Sequence, residues 1–292
     1  MKPTARLPAF VAGLGLCAAC ATAQAQFNFD INKLLDTAKS LGKAGQAVVK
    51  AHQDVGEEEE ADIGKDYASL LLGAAPLVRD PDVQRYVNRV GRWVSLHSER
   101  PGLNWQFGVL DSDNVNAFST PGGYVLITKG LLARLKSEAE LAGVLAHETA
   151  HVVRKHQLNA MRKSATAQAG TDLMSDLATQ QGQRYQAAKE RLVGGMKEVM
   201  LRGLDKGDEF EADRMGVVIA ARSGYDPYGL PAVLQMLQHM NPQDSSLALM
   251  FATHPDPGAR LDALESVAGT RLDPFAAQPE AAERFASQMR SK

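Results

Sequence analysis

The stretch VLAHETAHVV, residues 144–153, decides the fold because three titratable side chains interrupt an otherwise apolar run. His147 and His151 are four residues apart, so a helix places both imidazoles on one face, with Glu148 beside them. Burying three such groups without partners would be costly. Two neutral imidazoles at this spacing can bind one Zn²⁺, and the adjacent carboxylate can reach a water that the metal activates. The spacing predicts His147 and His151 as zinc ligands and Glu148 as the general base.

The flanking residues indicate where this helix begins and which class of zinc site it carries. Ser137 and Glu140 form a capping box, which predicts a helix from about Ser137 to about Lys155. A catalytic zinc needs a third protein ligand. The metzincin pattern would require glycine at position 154 and histidine at position 157. The chain has Arg154 and Gln157 there, which excludes that class.

A second predicted helix, KGDEFEADRMGVVIAARSGYDP at residues 206–227, supplies candidate carboxylates. Glu209 and Asp213 are four residues apart and share a face, whereas Glu211 projects from nearly the opposite side. Glu209 is therefore the predicted third ligand. Asp213 is then placed to accept the free ring N–H of a zinc-binding histidine, which would fix the tautomer of that ring.

The rest of the chain predicts a mainly helical α+β fold. Residues 80–97 have helical spacing of apolar residues, with Pro81 in the first turn. The stretches NWQFGVLDS (104–112) and GGYVLIT (122–128) predict a small sheet, with VNAFSTPGG (115–123) as the connection between its strands. No internal repeat of about 20–50 residues is visible, which argues against a solenoid.

The composition excludes nucleic acid as a partner. The chain has 292 residues, 45% of them hydrophobic, and a net charge of −2, without a face dense in lysine and arginine. This length and apolar content are sufficient for a globular core. A protein so close to neutral lacks the concentration of positive charge that attracts a polyanion.

The N-terminal 25 residues predict a signal peptide. Lys2 and Arg6 precede the apolar run LPAFVAGLGLCAACA, and the following AQA (23–25) has the small-x-small form of a cleavage site. We expect a mature protein that begins at Gln26 and lies in the periplasm. The alternative is an outer-membrane lipoprotein anchored at Cys20, because this cysteine follows two alanines and an apolar run.

Several motifs in a fixed order carry a resemblance to a known family. HETAH (147–151), EFEAD (209–213) and HPDPGAR (254–260) resemble the HExxH, ExxxD and HPxxxxR motifs of the gluzincin peptidase family that contains the CAAX prenyl protease and HtpX. NAF (116–118), PGG (121–123) and GLL (130–132) match its upstream pattern. The resemblance covers residues 66–268 and is greatest to soluble periplasmic or lipoprotein members such as BepA and LoiP. We expect no tetratricopeptide domain, because no such repeat is visible in these residues, and the polar segment 160–207 argues against an integral-membrane role and prenylated substrates.

The resemblance implies a zincin-like metallopeptidase in which an extended substrate pairs with an edge strand beside the active-site helix. It identifies GGYVLIT as that strand, with Gly123, Tyr124 and Val125 as substrate-binding residues. Asn116 and Ala117 would line the same cleft, although an ordinary turn role for Asn116 is equally compatible with its type.

The resemblance also implies roles for the last motif. His254 or Arg260 would stabilise the oxyanion as catalytic residues. His254 could instead close the site as a fourth zinc ligand. A histidine before proline also has a purely structural interpretation.

These observations predict a zinc-dependent endopeptidase of the bacterial cell envelope, with one Zn²⁺ per chain. Its substrates would be unfolded or misassembled envelope polypeptides, with an outer-membrane association left open. The alternative is a latent or non-hydrolytic chaperone or assembly factor for outer-membrane proteins with a closed metal site. The predicted domains are a signal peptide (1–25), a helical segment ending in an acidic linker or helix start (26–65), the zinc metallopeptidase domain (66–270) and a C-terminal tail (271–292).

Overall fold

A computed structural model describes residues 56–164, 202–254 and 256–290, in which helices surround a small sheet. The predicted signal peptide, Cys20 and residues 26–55 lie outside these ranges, as do residues 165–201 of the polar segment. No helix in the described ranges has both the length and the apolar character that a bilayer span requires.

The elements confirm the predicted mainly helical α+β fold. The helices are α1 (Glu57–Ala74), α2 (Pro81–Ser95), α3 (Lys129–Leu132), α4 (Glu138–Val153), α5 (Lys206–Arg222), α6 (Gly229–Gln238), α7 (Ala248–Thr253), α8 (Pro257–Ala268) and α9 (Ala282–Met289). Residues 156–164 are also helical. Short 3₁₀ turns cover Pro121–Gly123, Ser245–Leu247 and Gly269–Phe275. The strands are β1 (Gln106–Leu110), β2 (Ala117–Thr120) and β3 (Tyr124–Thr128).

The sheet has three strands in the order β1-β3-β2. β1 runs parallel to β3, with Gln106 opposite Tyr124. β2 runs antiparallel to β3, with Thr120 opposite Tyr124. Between β2 and β3 the chain reverses through Pro121–Gly123, where Gly122 has a φ of 77° that favours glycine.

This strand order corrects two predictions. VNAFSTPGG is not only a connection, because it contains β2, a strand of only four residues that runs directly into a Pro-Gly-Gly turn. GGYVLIT is not the edge strand, because β3 pairs with a neighbour on each side. Gly123, Tyr124 and Val125 therefore lie in or next to the central strand, and a substrate cannot extend the sheet there. The edge strand nearest the active-site helix is β2.

The active-site helix α4 begins where its capping residues predict. The Ser137 Oγ accepts a hydrogen bond from the Glu140 backbone N–H at 3.1 Å. The Glu140 carboxylate reaches back to the Lys136 N–H at 2.6 Å, one residue earlier than in the usual capping box. The helix ends with Arg154 as its C-cap, and Lys155 has a φ of 58° before residues 156–164 resume a helical course.

Helices α4 and α5 pack closely enough to share one site. A Cβ on Gly216 of α5 would lie 3.0 Å from the His147 backbone nitrogen, which is tighter than an ordinary contact, so glycine at this position favours the close approach of the two helices. Because Glu209 and Asp213 lie on the same face of α5 within two turns of Gly216, the close approach brings their carboxylates to the histidines of α4.

The two ends of the described chain both belong to the folded domain. The acidic run Glu57–Glu60 is the first turn of α1, and Glu60 is buried rather than solvated. Near the C-terminus, Phe285 of α9 lies in the main hydrophobic core, and Arg284 makes an ion pair with Glu138 at the start of α4. The residues predicted as a C-terminal tail thus include a helix that belongs to the folded domain.

Candidate metal centre and active site

Three side chains from α4 and α5 converge on one point in the interior. The Nε2 atoms of His147 and His151 are 3.0 Å apart. The carboxylate oxygens of Glu209 lie 3.4 Å from the His151 Nε2 and 3.6 Å from the His147 Nε2. All three residues are buried, and one ligand atom from each lies within 4.8 Å of the other two.

The chemistry of these atoms fits a zinc ion. Glu209 is 0% exposed, and its Oε1 has no hydrogen-bond partner among the described residues. A buried carboxylate oxygen without a partner is costly, and coordination of a cation removes that cost. Two imidazole nitrogens and one carboxylate oxygen are a common ligand set of catalytic zinc sites, which leave a further position open.

The electrostatics of the cluster favour the protonation states that metal binding requires. Burial lowers the pKa of His151 well below its ordinary value, and the imidazoles of His147, His156 and His254 lower it further. Burial alone would raise the pKa of Glu209, but attraction to His254 and His151 outweighs burial and lowers it well below its ordinary value. A neutral histidine and an ionised carboxylate are the forms that bind a cation.

Behind His147 lies an ion pair that orients its ring. The His147 Nδ1 is 3.0 Å from the Asp213 Oδ1. This is the contact predicted from the sequence, in which Asp213 accepts the free ring N–H of a zinc-binding histidine. Arg260 donates to both oxygens of Asp213, from Nε at 2.8 Å and from Nη2 at 2.5 Å. Arg260 does not line the cleft over the site. Its Nη1 lies 3.6 Å from the Glu209 Oε2, and its predicted role in oxyanion stabilisation remains a prediction.

His151 is oriented by a different partner, which sequence analysis missed. Its Nδ1 lies 2.9 Å from the Nδ1 of the buried His156. The other ring nitrogen of His156 lies 3.4 Å from the Glu211 carboxylate, and Glu211 also pairs with Arg154 at 2.7 Å. Glu211 thus stays out of the ligand cluster, on the outer side of His156. The signal that could have found His156 is its position five residues after His151, just beyond the end of α4.

His254 contacts the ligand carboxylate from the outer side. Its Nδ1 lies 2.9 Å from the Glu209 Oε2. Burial opposes protonation of His254, but attraction to Glu209 outweighs burial and raises the pKa of the imidazole. Within the described residues, the metal-ligand cluster comprises His147, His151 and Glu209 without His254. Its predicted roles, in oxyanion stabilisation or as a fourth ligand, remain predictions.

A small cleft opens beside the metal ligands. It is bordered by Glu148 of α4, by the first three residues of β2, by Tyr67 of α1 and by His254. Its volume is 40 Å³, and one water needs about 10–15 Å³ of such space. The space beside the ligands therefore admits a few waters.

The residues predicted to bind substrate divide into two groups. Ala117 lines the cleft. Asn116 lies behind it, fully buried, with its side chain bonded to the Ala117 N–H at 3.0 Å and to the Thr253 hydroxyl at 3.5 Å. Gly123 packs against Trp105, and Val125 belongs to the main core, so neither borders the cleft.

Sequence analysis missed Ser119, which does border the cleft and bonds Glu148 at 2.6 Å. Alternate residues of a strand share a face, so placing Ala117 at the cleft would also have indicated Ser119, had β2 been recognised as a strand.

The HExxH helix, the adjoining carboxylate helix and the small sheet together define a zincin-like metallopeptidase. Residues 78–268 match the model of Peptidase family M48, and the chain belongs to this family. It is 30% identical over 233 residues to the Beta-barrel assembly-enhancing protease of Escherichia coli K12, covering 77% of this chain and 46% of that protein. The Yersinia pestis protein of the same name is 30% identical, over 70% of this chain and 43% of that protein.

A mitochondrial relative is similar to the same extent. The Mitochondrial metalloendopeptidase OMA1 of Arabidopsis thaliana is 32% identical over 222 residues, which cover 75% of this chain and 42% of that protein. The chain thus spans somewhat less than half the length of each of these relatives.

Proposed function

We propose that the protein is a zinc-dependent endopeptidase that hydrolyses peptide bonds in unfolded or misassembled polypeptides of the bacterial cell envelope. The observation that carries this proposal is the convergence of His147, His151 and Glu209 beside a carboxylate, Glu148, that faces a cleft. Membership of a peptidase family supports it, as do relatives named as proteases and metalloendopeptidases.

The proposed mechanism assigns each side chain one task. His147, His151 and Glu209 would hold the zinc ion, which when bound acts as a Lewis acid on the scissile carbonyl and makes water a stronger nucleophile. Glu148 removes a proton from the attacking water and delivers it to the nitrogen of the leaving amine. The His254 imidazole, whose pKa is raised beside Glu209, would donate a hydrogen bond to the oxyanion.

The proposed substrate strand is β2 rather than β3. β2 lies at an edge of the sheet, and residues Ala117, Phe118 and Ser119 border the cleft. An extended polypeptide that adds to this edge would pass directly over Glu148. Because main-chain pairing accepts many sequences, such a site suits unfolded chains of varied composition. We retain Ala117 as a cleft residue and replace the proposed Gly123–Val125 contact with Phe118 and Ser119.

The proposed compartment is the periplasm, reached through the signal peptide predicted for residues 1–25. The outer-membrane lipoprotein anchored at Cys20 is the alternative. The names of the bacterial relatives, which refer to assembly of β-barrels, support a role close to outer-membrane proteins.

One observation favours a second candidate, a latent enzyme or a non-hydrolytic assembly factor. His254 borders the cleft, and its Nδ1 covers the ligand carboxylate of Glu209 at 2.9 Å. A protein held in this state would bind clients on β2 without cleaving them.

The two candidates are separated by assaying degradation of casein and of an unfolded outer-membrane protein. We expect wild type to degrade both and Glu148→Gln to degrade neither, with unchanged zinc content, because the residue is a base and not a ligand. Glu140→Gln is the matched control, since it makes the same substitution two turns earlier in α4. Full activity of Glu148→Gln would remove this residue from the mechanism. Equal inertness of wild type and Glu148→Gln would favour the assembly factor.

A further inference from the structure

A directed chain of hydrogen bonds ends on the carboxylate of Glu148. The Gln157 Nε2 donates to the Ser119 Oγ at 2.7 Å. The Ser119 Oγ donates in turn to the Glu148 Oε2 at 2.6 Å. All three side chains are at most 5% exposed, so bulk solvent has little access to these bonds.

The donor and acceptor capacities of these groups settle the direction of the chain. A serine hydroxyl carries one proton, and an ionised carboxylate can only accept. The proton of Ser119 must therefore point to Glu148, so a group on the other side of the hydroxyl has to be a donor. The Gln157 amide meets this requirement only with its NH₂ group toward Ser119, as it is placed here.

The chain joins three separate elements of the fold. Ser119 lies in β2, Glu148 in α4 and Gln157 in the helical residues 156–164. A carboxylate at the end of a glutamate side chain has three rotatable bonds, and one directional contact from a rigid strand removes much of this freedom.

We infer that Ser119 and Gln157 are positioning residues for Glu148, which rests on the proposed role of Glu148 as the base. Ser119 holds Oε2, so the other oxygen, Oε1, takes the proton from water and passes it to the leaving nitrogen. Ser119 keeps its own proton throughout, and no bond to Ser119 forms or breaks. Because Ser119 belongs to the proposed substrate strand, the same strand sets the position of the base and the register of the scissile bond.

The test compares steady-state kinetics of Ser119→Ala with wild type on an unfolded polypeptide. A hydrogen bond to a charged group contributes enough that its loss should lower kcat by about 10- to 100-fold. KM and zinc content should stay near the wild-type values, because the main-chain pairing along β2 and the ligands are unchanged. Ser119→Thr retains a hydroxyl at the same position and should recover most of the loss.

Two further variants separate positioning from a general loss of packing. Ser95→Ala is the matched control, since Ser95 is also buried and its hydroxyl donates to the Arg92 carbonyl of its own helix at 2.9 Å. We expect it to leave kcat unchanged. Gln157→Glu should lower kcat at least as far as Ser119→Ala, because a second carboxylate would compete for the proton of Ser119.

A double-mutant cycle gives a readout that does not need turnover. If the Ser119–Glu148 contact exists, the shift in unfolding midpoint caused by Ser119→Ala should fall to less than half in a Glu148→Ala background, which leaves no acceptor for the Ser119 hydroxyl. Strictly additive shifts would overturn the inference, as would a wild-type kcat in Ser119→Ala. An active Glu148→Gln enzyme would instead overturn the assignment of the base, which is a separate failure.

Discussion

A buried carboxylate in the first helix should be among the strongest single contributors to the stability of this domain. Glu60 is 1% exposed and accepts hydrogen bonds from Arg100 at 2.8 and 3.1 Å and from the Gly122 N–H at 3.2 Å. Lys155, at the end of the active-site helix, lies 3.1 Å from the same carboxylate. Glu60 therefore joins α1, the turn after β2 and the end of α4.

We expect Glu60→Gln to destabilise the domain by about 3 kcal/mol, since removing one partner of a buried pair costs about 3–5 kcal/mol. The lower limit applies because Arg100 is 15% exposed and retains a contact with the Val152 carbonyl at 3.4 Å. At about 2–4 °C per kcal/mol for a domain of this size, the melting temperature should fall by about 6–12 °C.

The assay is urea unfolding at pH 7, followed by circular dichroism, with Glu57→Gln as the matched control. Glu57 contacts the same guanidinium at 3.4 Å from the same helix, but its side chain is 78% exposed. An exposed pair contributes only about 0–1 kcal/mol. Equal destabilisation by the two substitutions would refute the argument that Glu60 stabilises the domain more than Glu57 because it is buried.

The same variant should show a defined dependence on pH. Burial alone would raise the pKa of Glu60, but hydrogen bonds from Arg100 and Lys155 outweigh burial and lower it below its ordinary value of 4.5. A carboxyl group whose pKa is lower in the folded protein than in the unfolded chain stabilises the fold at pH values above its pKa in the unfolded chain. This stabilisation is lost as the pH falls through the pKa that the group has in the folded protein. The difference between wild type and Glu60→Gln should therefore be complete at pH 7 and shrink below pH 4.5.

Three other outcomes can be checked. Glu209→Gln should lose zinc on dialysis while Glu211→Gln keeps it, because only Glu209 lies in the ligand cluster; metal analysis with the reverse result would contradict the assignment. If His254 holds the enzyme latent, His254→Ala should keep zinc and degrade unfolded protein faster than wild type, because the ligand carboxylate is uncovered; an inactive, zinc-loaded variant would rule out simple latency and leave His254 as a catalytic group only. Mass spectrometry of the mature protein should find an N-terminus at Gln26, and an acylated Cys20 would establish the lipoprotein instead.

Local periodicity was sufficient to predict the centre of the site. The capping residue Ser137 marks the start of α4, and the four-residue spacing of His147 and His151 places both rings on one face. The same rule separates Glu209 from Glu211, and the structure buries Glu209 while Glu211 stays outside the ligand cluster. Because the direction of side chains along a helix repeats every few residues, a short stretch of sequence is enough to predict which residues share a face.

Long-range packing decided what surrounds that centre. The sheet order that makes β2 an edge strand depends on pairing between distant residues, such as Gln106 with Tyr124. Arg260 pairs with Asp213 instead of facing the cleft because α8 packs against α5. Ser119 reaches Glu148, and Glu60 reaches Lys155, across separate elements. A window of sequence contains none of these contacts, because strand order and helix packing depend on the burial and pairing of segments that lie far apart in the chain.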